Sequence, residues 1–188
     1  RPTPWNQYAQ GTRTRLAVLL TDPSSAWLGL AHGLETIGIP FLITEDYAEA
    51  VSHKVVLLYP TVSGHVLSSE ALHALAACPR HGGTLIGSHV LGGGLNEVFG
   101  FRDAVASRQR FDVHFKSEAA VVPTFTDPRE GTLRLGNRDK ASEALGSYGY
   151  TQNTDPVALY EDGTAAVTHK SYDQGHAYAI GVDVGVLL

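Results

Sequence analysis

The chain has 188 residues, of which 43% are apolar and 18% are charged, and its formal net charge is −5. This composition suits one globular domain with a single core, and the negative charge argues against electrostatic binding of nucleic acid. No stretch approaches the roughly 20 consecutive apolar residues that a membrane span needs. The single cysteine, Cys78, excludes an intrachain disulfide framework and a multi-cysteine metal site.

The first residues are polar, and Trp5 and Tyr8 are the large apolar side chains among them. We predict an N-terminal arm over 1–14, followed by a single α/β domain over 15–188. The chain begins with Arg1, and no apolar signal segment follows it. We therefore expect a domain cut from a longer polypeptide.

The first predicted strand is the continuous apolar run Leu16–Leu20, which is typical of a strand buried on both faces in a parallel sheet. Ser24 or Ser25 is expected to cap the helix that follows, and Gly38 is expected to end it. The apolar side chains of this helix recur at spacings of three and four, which places them on one face: Trp27, Leu30, Leu34 and Ile37.

Strand and helix patterns then repeat. The segments Phe41–Thr44, Val55–Tyr59 and 84–87 predict further strands, and a short helical piece is expected over 45–51. Repeated strand–helix units imply right-handed crossovers and a parallel sheet that is covered by helices on both faces.

The longest of the later helices is predicted over 68–78. Leu72 and Leu75 are expected to point inward, and Pro79 is expected to lie beyond the end of the helix. The pattern changes after Phe101, because 110–116 alternates apolar and polar residues with a period of two. This alternation predicts a half-exposed strand.

The last part of the chain is predicted to be antiparallel. The segments 157–167 and 172–184 contain the turn pairs Asp162-Gly163 and Gln174-Gly175, which indicate hairpins. Between the two strand regions, 126–154 is rich in Gly, Asp, Asn and Arg, and we predict a long excursion or an active-site-like loop there.

The residues 184–188 are apolar. We expect them to lie at a contact surface with a following domain or with a second copy of the chain. A chain extended past Leu188 is then expected to be the more soluble and the more stable one.

Two stretches carry a resemblance to a known family. His81-Gly82-Gly83-Thr84-Leu85-Ile86-Gly87, followed by Leu91-Gly92-Gly93-Gly94-Leu95-Asn96-Glu97-Val98-Phe99-Gly100-Phe101, resembles a strand, loop and short helix of class I glutamine amidotransferase-like domains. The stretch 157–181 resembles the hairpin that closes such domains in the β-galactosidase trimerisation and trehalose-utilisation groups. The resemblance implies a flavodoxin-like three-layer α/β sandwich with a mostly parallel central sheet and an antiparallel C-terminal extension.

The chain departs from this family at the position of the nucleophile. A glutaminase of this class needs an activated cysteine at a tight strand-to-helix turn, and here the turn after 84–87 holds Ser88 and His89. Cys78 stands at a predicted helix end, where the helix dipole would raise the pKa of a thiol. We therefore assign no catalytic residue, and we keep Ser88 and His89 as weak candidates for hydrolase chemistry. As neighbours at a strand end they point to opposite faces, and the turn lacks the second glycine of a nucleophile elbow.

A position rule predicts a binding crevice without any motif. In a sheet of this kind, ligands bind outside the carboxyl ends of the strands. The polar residues that follow the predicted strands are Thr21, Asp22, Ser24, Ser25, Tyr59, Thr61, Ser63, Ser88, His89 and Asn96. The nine histidines form no metal-ligand pair in sequence, so we expect no metal and no cofactor.

The resemblance implies a non-catalytic accessory domain of a bacterial carbohydrate-active enzyme, such as a polysaccharide deacetylase or a glycosidase. Its role would be domain docking, oligomerisation or glycan binding. The implied partners are a neighbouring catalytic domain of the same polypeptide, a second copy of the chain, or a carbohydrate. The alternatives are a module that binds a sugar or an anion, and a hydrolase that uses Ser88 and His89. The cellular compartment stays open.

Overall fold

The computed structural model describes residues 16–116, 128–136, 139 and 146–184. The predicted arm at 1–14 and the apolar segment 185–188 lie outside the described residues, so what we expect of these two segments remains a prediction. The described residues form a mixed α/β structure around one sheet of 12 strands.

The strands, in chain order, are β1 Leu16–Leu20, β2 Phe41–Thr44, β3 Val55–Tyr59, β4 Thr84–Ser88, β5 Ala104–Ser107, β6 Asp112–Phe115, β7 Thr132–Arg134, β8 Ser147–Tyr150, β9 Ala158–Tyr160, β10 Ala165–Val167, β11 Lys170–Ser171 and β12 His176–Ile180. The α-helices of the described residues are α1 Trp27–Thr36, α2 Tyr47–Ala50, α3 Ser69–Arg80 and α4 Asn96–Phe99. A 3-10 helix occupies Pro128–Gly131. No helix in this part of the chain has the length and apolar character needed to cross a membrane.

One half of the sheet is parallel, in the order β2-β1-β3-β4-β12. The four strands predicted from apolar runs are confirmed, and each pairs in parallel with its neighbours. The expectation that the chain is antiparallel after Phe101 holds for β12 where it pairs with β10 and β11, and it is wrong for the other edge of β12, which pairs in parallel with β4. Alternation of side chains reports which face is buried, and it carries no information on strand direction.

The other half of the sheet is antiparallel and contains β5 to β11. Both predicted hairpins are confirmed, because β9 pairs with β10 and β11 pairs with β12. The segment 126–154 is not a structureless excursion, since its described residues include β7 and β8. Parallel strands therefore make up less than half of the sheet. The expected mostly parallel central sheet is instead a mixed sheet.

Helices cover both faces of the parallel half. On one face, α2, α3 and α4 pack on a core that contains Leu58, Leu85 and Phe99. On the other face, α1 packs on a second core that contains Val18 and Leu57. Because consecutive residues of a strand point to opposite faces, Leu57 and Leu58 belong to different cores.

Two predicted helix ends are wrong. The residue before α1 is Ala26, which makes no side-chain cap, because Asp22 engages the two serines instead. Pro79 lies inside the last turn of α3 and not beyond it. Pro79 has no N–H to donate to the Leu75 carbonyl, but the helix ends within the same turn, where the backbone N–H of His81 donates to the carbonyls of Ala77 and Cys78.

Candidate functional site

The carboxyl ends of β3, β4 and β12 meet around His89, the residue that follows β4. Its backbone has a φ of 45°, a left-handed conformation that is uncommon outside glycine. Its N–H donates to the carbonyl of Ile180 (2.9 Å), and its own carbonyl accepts from the N–H of Val62 (3.2 Å). The ends of two neighbouring segments thus hold His89 in this strained conformation, as is common at functional sites.

The imidazole of His89 is only partly satisfied by its surroundings. Its edge meets the ring of Tyr148, with 5.3 Å between the ring centroids and an interplanar angle of 64°. Its Nε2 atom is buried and has no hydrogen-bond partner among the described residues. Burial lowers the pKa of this histidine below its ordinary value of 6.5, and the Asp183 carboxylate opposes the shift.

A cavity of about 510 Å³ opens beside this imidazole. Its lining comes from the turn after β4 and from the paired strands β5 and β8: His89, Ala106, Ser107, Arg108, Gly146, Ser147 and Tyr148. The backbone of Gly181 lies directly against the backbone of Tyr148, and only glycine allows this contact, because a Cβ atom at position 181 would overlap the carbonyl oxygen of Tyr148. The N–H of Tyr148 donates to the carbonyl of Gly181 (2.8 Å), which places the tyrosine ring against His89.

Three residues of the predicted crevice, at the ends of β1 and β3, contact one another. The hydroxyl of Thr21 hydrogen-bonds the carbonyls of Tyr59 (3.1 Å) and Thr61 (2.6 Å). The hydroxyl of Tyr59 donates to the Asp183 carboxylate at 3.4 Å, and burial together with that carboxylate raises the pKa of the tyrosine. The end of β12 therefore contributes an acidic group that the position rule did not include.

Other members of the predicted crevice are engaged elsewhere. The Asp22 carboxylate accepts from the backbone and hydroxyl of Ser24, and the Ser25 hydroxyl donates to the Asp22 carbonyl. These hydrogen bonds hold a local turn. The Ser63 hydroxyl accepts from the backbone of His65 (3.3 Å).

The amide of Asn96 donates to the Arg102 carbonyl at 3.0 Å, so this side chain is directed toward the loop before β5. Its hydrogen bond lies outside the group that Thr21, Tyr59 and Thr61 form.

The two nucleophilic side chains singled out from the sequence are both buried. Ser88 is 0% exposed, and its hydroxyl has no hydrogen-bond partner in the described ranges. Cys78 lies in α3, where burial raises the pKa of its thiol. In both positions burial works against nucleophilic attack on a substrate from solvent.

A second cavity, of about 700 Å³, lies near α4 and β11 and contains a chain of hydrogen-bonded side chains. His169 Nδ1 is 2.6 Å from a carboxylate oxygen of Asp155, and its Nε2 is 3.0 Å from Nδ1 of His176. Because a carboxylate only accepts, Nδ1–H of His169 donates to Asp155, and Nε2 of the same ring meets Nδ1 of His176. The side chain of Asn153 ties the same region to the carbonyls of Gly100 and His169.

Within the described part of the chain, no group of three or more His, Cys, Asp or Glu side chains is arranged to hold a metal ion. The short Nε2–Nδ1 distance between His169 and His176 is that of a direct hydrogen bond.

Solved structures share this fold. The chain superimposes on a β-galactosidase from Bacillus circulans sp. alkalophilus with a TM-score of 0.56 and 14% identity, covering 92% of this chain and 29% of that one. It matches the exo-β-1,4-mannosidase Op5Man5 from Opitutaceae bacterium strain TAV5 with a TM-score of 0.59 and 10% identity, over 96% of this chain and 33% of the mannosidase. A cytoplasmic protein from Salmonella typhimurium LT2 matches with a TM-score of 0.57 and 13% identity, over 90% of this chain and 88% of its own.

The similarity is one of fold. No protein-family model matches the sequence, and no curated protein matches it either. The chain spans less than a third of the length of the β-galactosidases that it resembles, 27% for a GH42 enzyme named Gan42B and 29% for the B. circulans enzyme.

Several residues around His89 were not predicted from the sequence. Tyr148 belongs to β8, Arg108 directly follows β5, which pairs with β8, and Asp183 follows β12. No local pattern marks them, because they reach His89 only through long-range strand pairing.

Proposed function

We propose that the chain is a non-catalytic class I glutamine amidotransferase-like accessory domain of a bacterial carbohydrate-active enzyme, such as a glycosidase or polysaccharide deacetylase. In this proposal it serves in docking to a catalytic domain of the same polypeptide, in oligomerisation or in glycan binding. Its parallel half is a flavodoxin-like core, the middle layer of a three-layer sandwich. The order β2-β1-β3-β4-β12 supports this, since flavodoxin-like sheets have the order 2-1-3-4-5.

The observation that carries the proposal is the state of the turn after β4. A cysteine glutaminase needs a thiolate at this turn and a base beside it. Here the turn presents a fully buried serine hydroxyl, and the neighbouring histidine directs its ring to Tyr148. The thiol of Cys78 is held protonated by burial and lies in α3, away from this turn.

The shared fold supports the carbohydrate context. The matched structures include β-galactosidases and a mannosidase, and in each of these the match covers less than a third or about a third of the enzyme. A chain of this size that corresponds to one part of such enzymes suits an accessory role.

A second candidate function is a module that binds a sugar or an anion. The cavity beside His89 favours it, because the cavity combines a strained residue, a ring nitrogen that no described residue hydrogen-bonds, and an exposed arginine. The third candidate, a hydrolase that uses Ser88 and His89, has less support, since the Ser88 hydroxyl is buried.

The test of the non-catalytic assignment is an assay for ammonia release from glutamine, with the chain and its Cys78→Ser variant. We expect no release from either protein. Release that disappears in Cys78→Ser would overturn the assignment. Ester hydrolysis that disappears in Ser88→Ala would instead support the hydrolase.

The docking and oligomerisation roles are tested by light scattering over a range of concentrations and by thermal melting. The chain is compared with one extended past Leu188. A higher melting temperature of the extended chain, or self-association, supports these roles. Equal melting temperatures and a monomer at every concentration would remove them and favour the ligand-binding module.

A further inference from the structure

The cavity beside His89 contains polar groups whose hydrogen-bonding capacity the described residues do not use. The Nε2 atom of His89 is removed from solvent and has no partner among them. The backbone of the same residue is hydrogen-bonded on both sides, which fixes its position at the cavity wall but does not restrain rotation of the ring about its side-chain bonds. Such a rotation can turn the nitrogen toward the cavity, and a buried ring nitrogen without a partner favours contact with a ligand there.

Two neighbouring arginines differ sharply in their surroundings. Arg110 is 2% exposed, and its Nε and Nη1 atoms donate to the Asp162 carboxylate (2.8 Å) and to the carbonyls of Val105 (2.8 Å) and Ser147 (3.3 Å). Arg108 is exposed, lines the cavity and pairs with no carboxylate in the described part of the chain. Among the described residues, the positive charge of Arg108 thus faces the cavity without an ion-pair partner.

The cavity favours one chemical class of ligand. A guanidinium group matches the geometry of a carboxylate and binds it through two parallel hydrogen bonds. A sugar hydroxyl both donates and accepts, so it can satisfy His89 Nε2 in either tautomer. The cavity volume of about 510 Å³ lies in the range typical of small-molecule sites, and Ser107, Ser147 and Tyr148 add polar and aromatic surface.

We infer that this cavity binds a small acidic sugar, a hexuronate, with Arg108 on its carboxylate and His89 Nε2 on a ring hydroxyl. The inference deepens the proposed glycan-binding role and rests on it. It assigns ligand-binding roles to Arg108, which directly follows β5, and to Tyr148 of β8, and neither residue belongs to the parallel core.

The experiment is a calorimetric or NMR titration of the whole chain with D-glucuronate, D-glucose and inorganic phosphate. The variant Arg108→Gln removes the proposed carboxylate contact. Its matched control is Arg102→Gln, because Arg102 is also exposed, lines the other cavity and faces Asp103 at 3.6 Å. A further variant, His89→Asn, keeps a residue type that tolerates positive φ and removes the imidazole.

We expect saturable binding of glucuronate with weaker or undetectable binding of glucose. Loss of a charge-assisted hydrogen bond in Arg108→Gln is expected to weaken glucuronate binding about tenfold or more. Binding to Arg102→Gln should be unchanged, and His89→Asn should weaken glucuronate binding without changing the fold seen by circular dichroism.

Several results would overturn the inference. These are no glucuronate binding, equal affinity for glucose, displacement of glucuronate by phosphate at equal concentration, or equal weakening by the two arginine variants. None of these outcomes bears on ammonia release from glutamine, so failure of the inference and failure of the non-catalytic assignment are distinguishable.

Discussion

The histidines at the two cavities differ in how far their imidazole rings are hydrogen-bonded. Around His169 every hydrogen-bonding atom of the imidazole has a partner, Asp155 on one side and His176 on the other. Around His89 the backbone is held and the ring nitrogen Nε2 is left without a partner among the described residues. At His169 the imidazole joins loops and strands through hydrogen bonds. At His89 the ring nitrogen at the cavity wall makes no hydrogen bond to the described residues.

The energetic consequences of the two arrangements differ as well. A buried polar group without a partner costs about 1 to 3 kcal/mol, whereas a satisfied hydrogen bond contributes about 1 kcal/mol. The His89 site therefore lowers stability through both its unpartnered nitrogen and its positive φ, while the His169 site adds to stability. Mutations at the two sites should accordingly change stability by different amounts.

The largest effect is expected in the core of the parallel half of the sheet. Leu57 of β3 is 4% exposed in the core under α1. Leu57→Ala should lower the free energy of unfolding by about 2 to 5 kcal/mol, because a strand covered on both faces cannot relax into the cavity. Urea unfolding followed by circular dichroism measures the loss, with Leu28→Ala, at a helix position that is 59% exposed, as the control. A loss below about 1 kcal/mol would show that β3 is not central.

The next largest effect is a difference in stability between variants of the two arginines near the His89 cavity, Arg110 and Arg108. Arg110→Met keeps apolar packing over Tyr160 and removes the contacts to Asp162 and to two carbonyls. We expect a loss of about 2 to 4 kcal/mol, reduced from the value for a fully buried pair because the Asp162 side chain is 42% exposed. Arg108→Gln should stay within about 0.5 kcal/mol of the wild type. Similar losses in both variants would mean that Arg108 is also a structural residue.

Variants of the two histidines, His169 and His89, are expected to show a smaller difference in the free energy of unfolding. His169→Phe retains a ring next to Tyr178 and loses both hydrogen bonds, so a loss of about 1 to 2 kcal/mol is expected. His89→Asn should change the free energy of unfolding by less than about 1 kcal/mol, since asparagine accepts positive φ. The same urea experiment compares the two variants, and a larger loss in His89→Asn than in His169→Phe would reverse the contrast drawn above.

The smallest effect is a pH dependence that belongs to His89. Because burial lowers its pKa in the folded state below 6.5, the unfolded chain takes up a proton first as the pH falls. The contribution of this histidine to stability is therefore complete above pH 6.5 and is lost as the pH falls below that value. As the pH falls below 6.5, the wild type should lose stability faster than His89→Asn. The other histidines are common to both proteins, so their contributions cancel in this comparison. Parallel curves for the two proteins would show that His89 is not desolvated.

The sequence predicted the parallel half of the fold better than the antiparallel half. Strands β1 and β3 are uninterrupted apolar runs, and burial on both faces leaves few other structures for such runs. Strand β12 alternates small buried alanines with the half-exposed His176 and Tyr178, a pattern that both parallel and antiparallel pairings satisfy. Its parallel partner β4 could be known only from the assembled sheet.

The candidate site shows the same limit of local patterns. Ser88 and His89 were singled out because they stand at the turn where the resembled family has its nucleophile, and the rule on strand ends of parallel sheets selects them as well. The positive φ of His89 has no signature in the sequence, since glycine is the usual residue in that conformation. Arg108 reaches the cavity because Ser107 pairs with Ser147, two residues that lie far apart along the chain.

The position of β12 between β4 and β10 bears on how the chain folds during synthesis. The first four strands emerge early from the ribosome and can pair with one another, yet β4 keeps an open edge until residues 176–180 arrive. Pairing across so long a stretch of chain is slow, and an open strand edge invites pairing between molecules. A nascent or truncated chain that stops before β12 should thus be prone to aggregation, and the same strand should make the two halves of the sheet unfold as one cooperative unit.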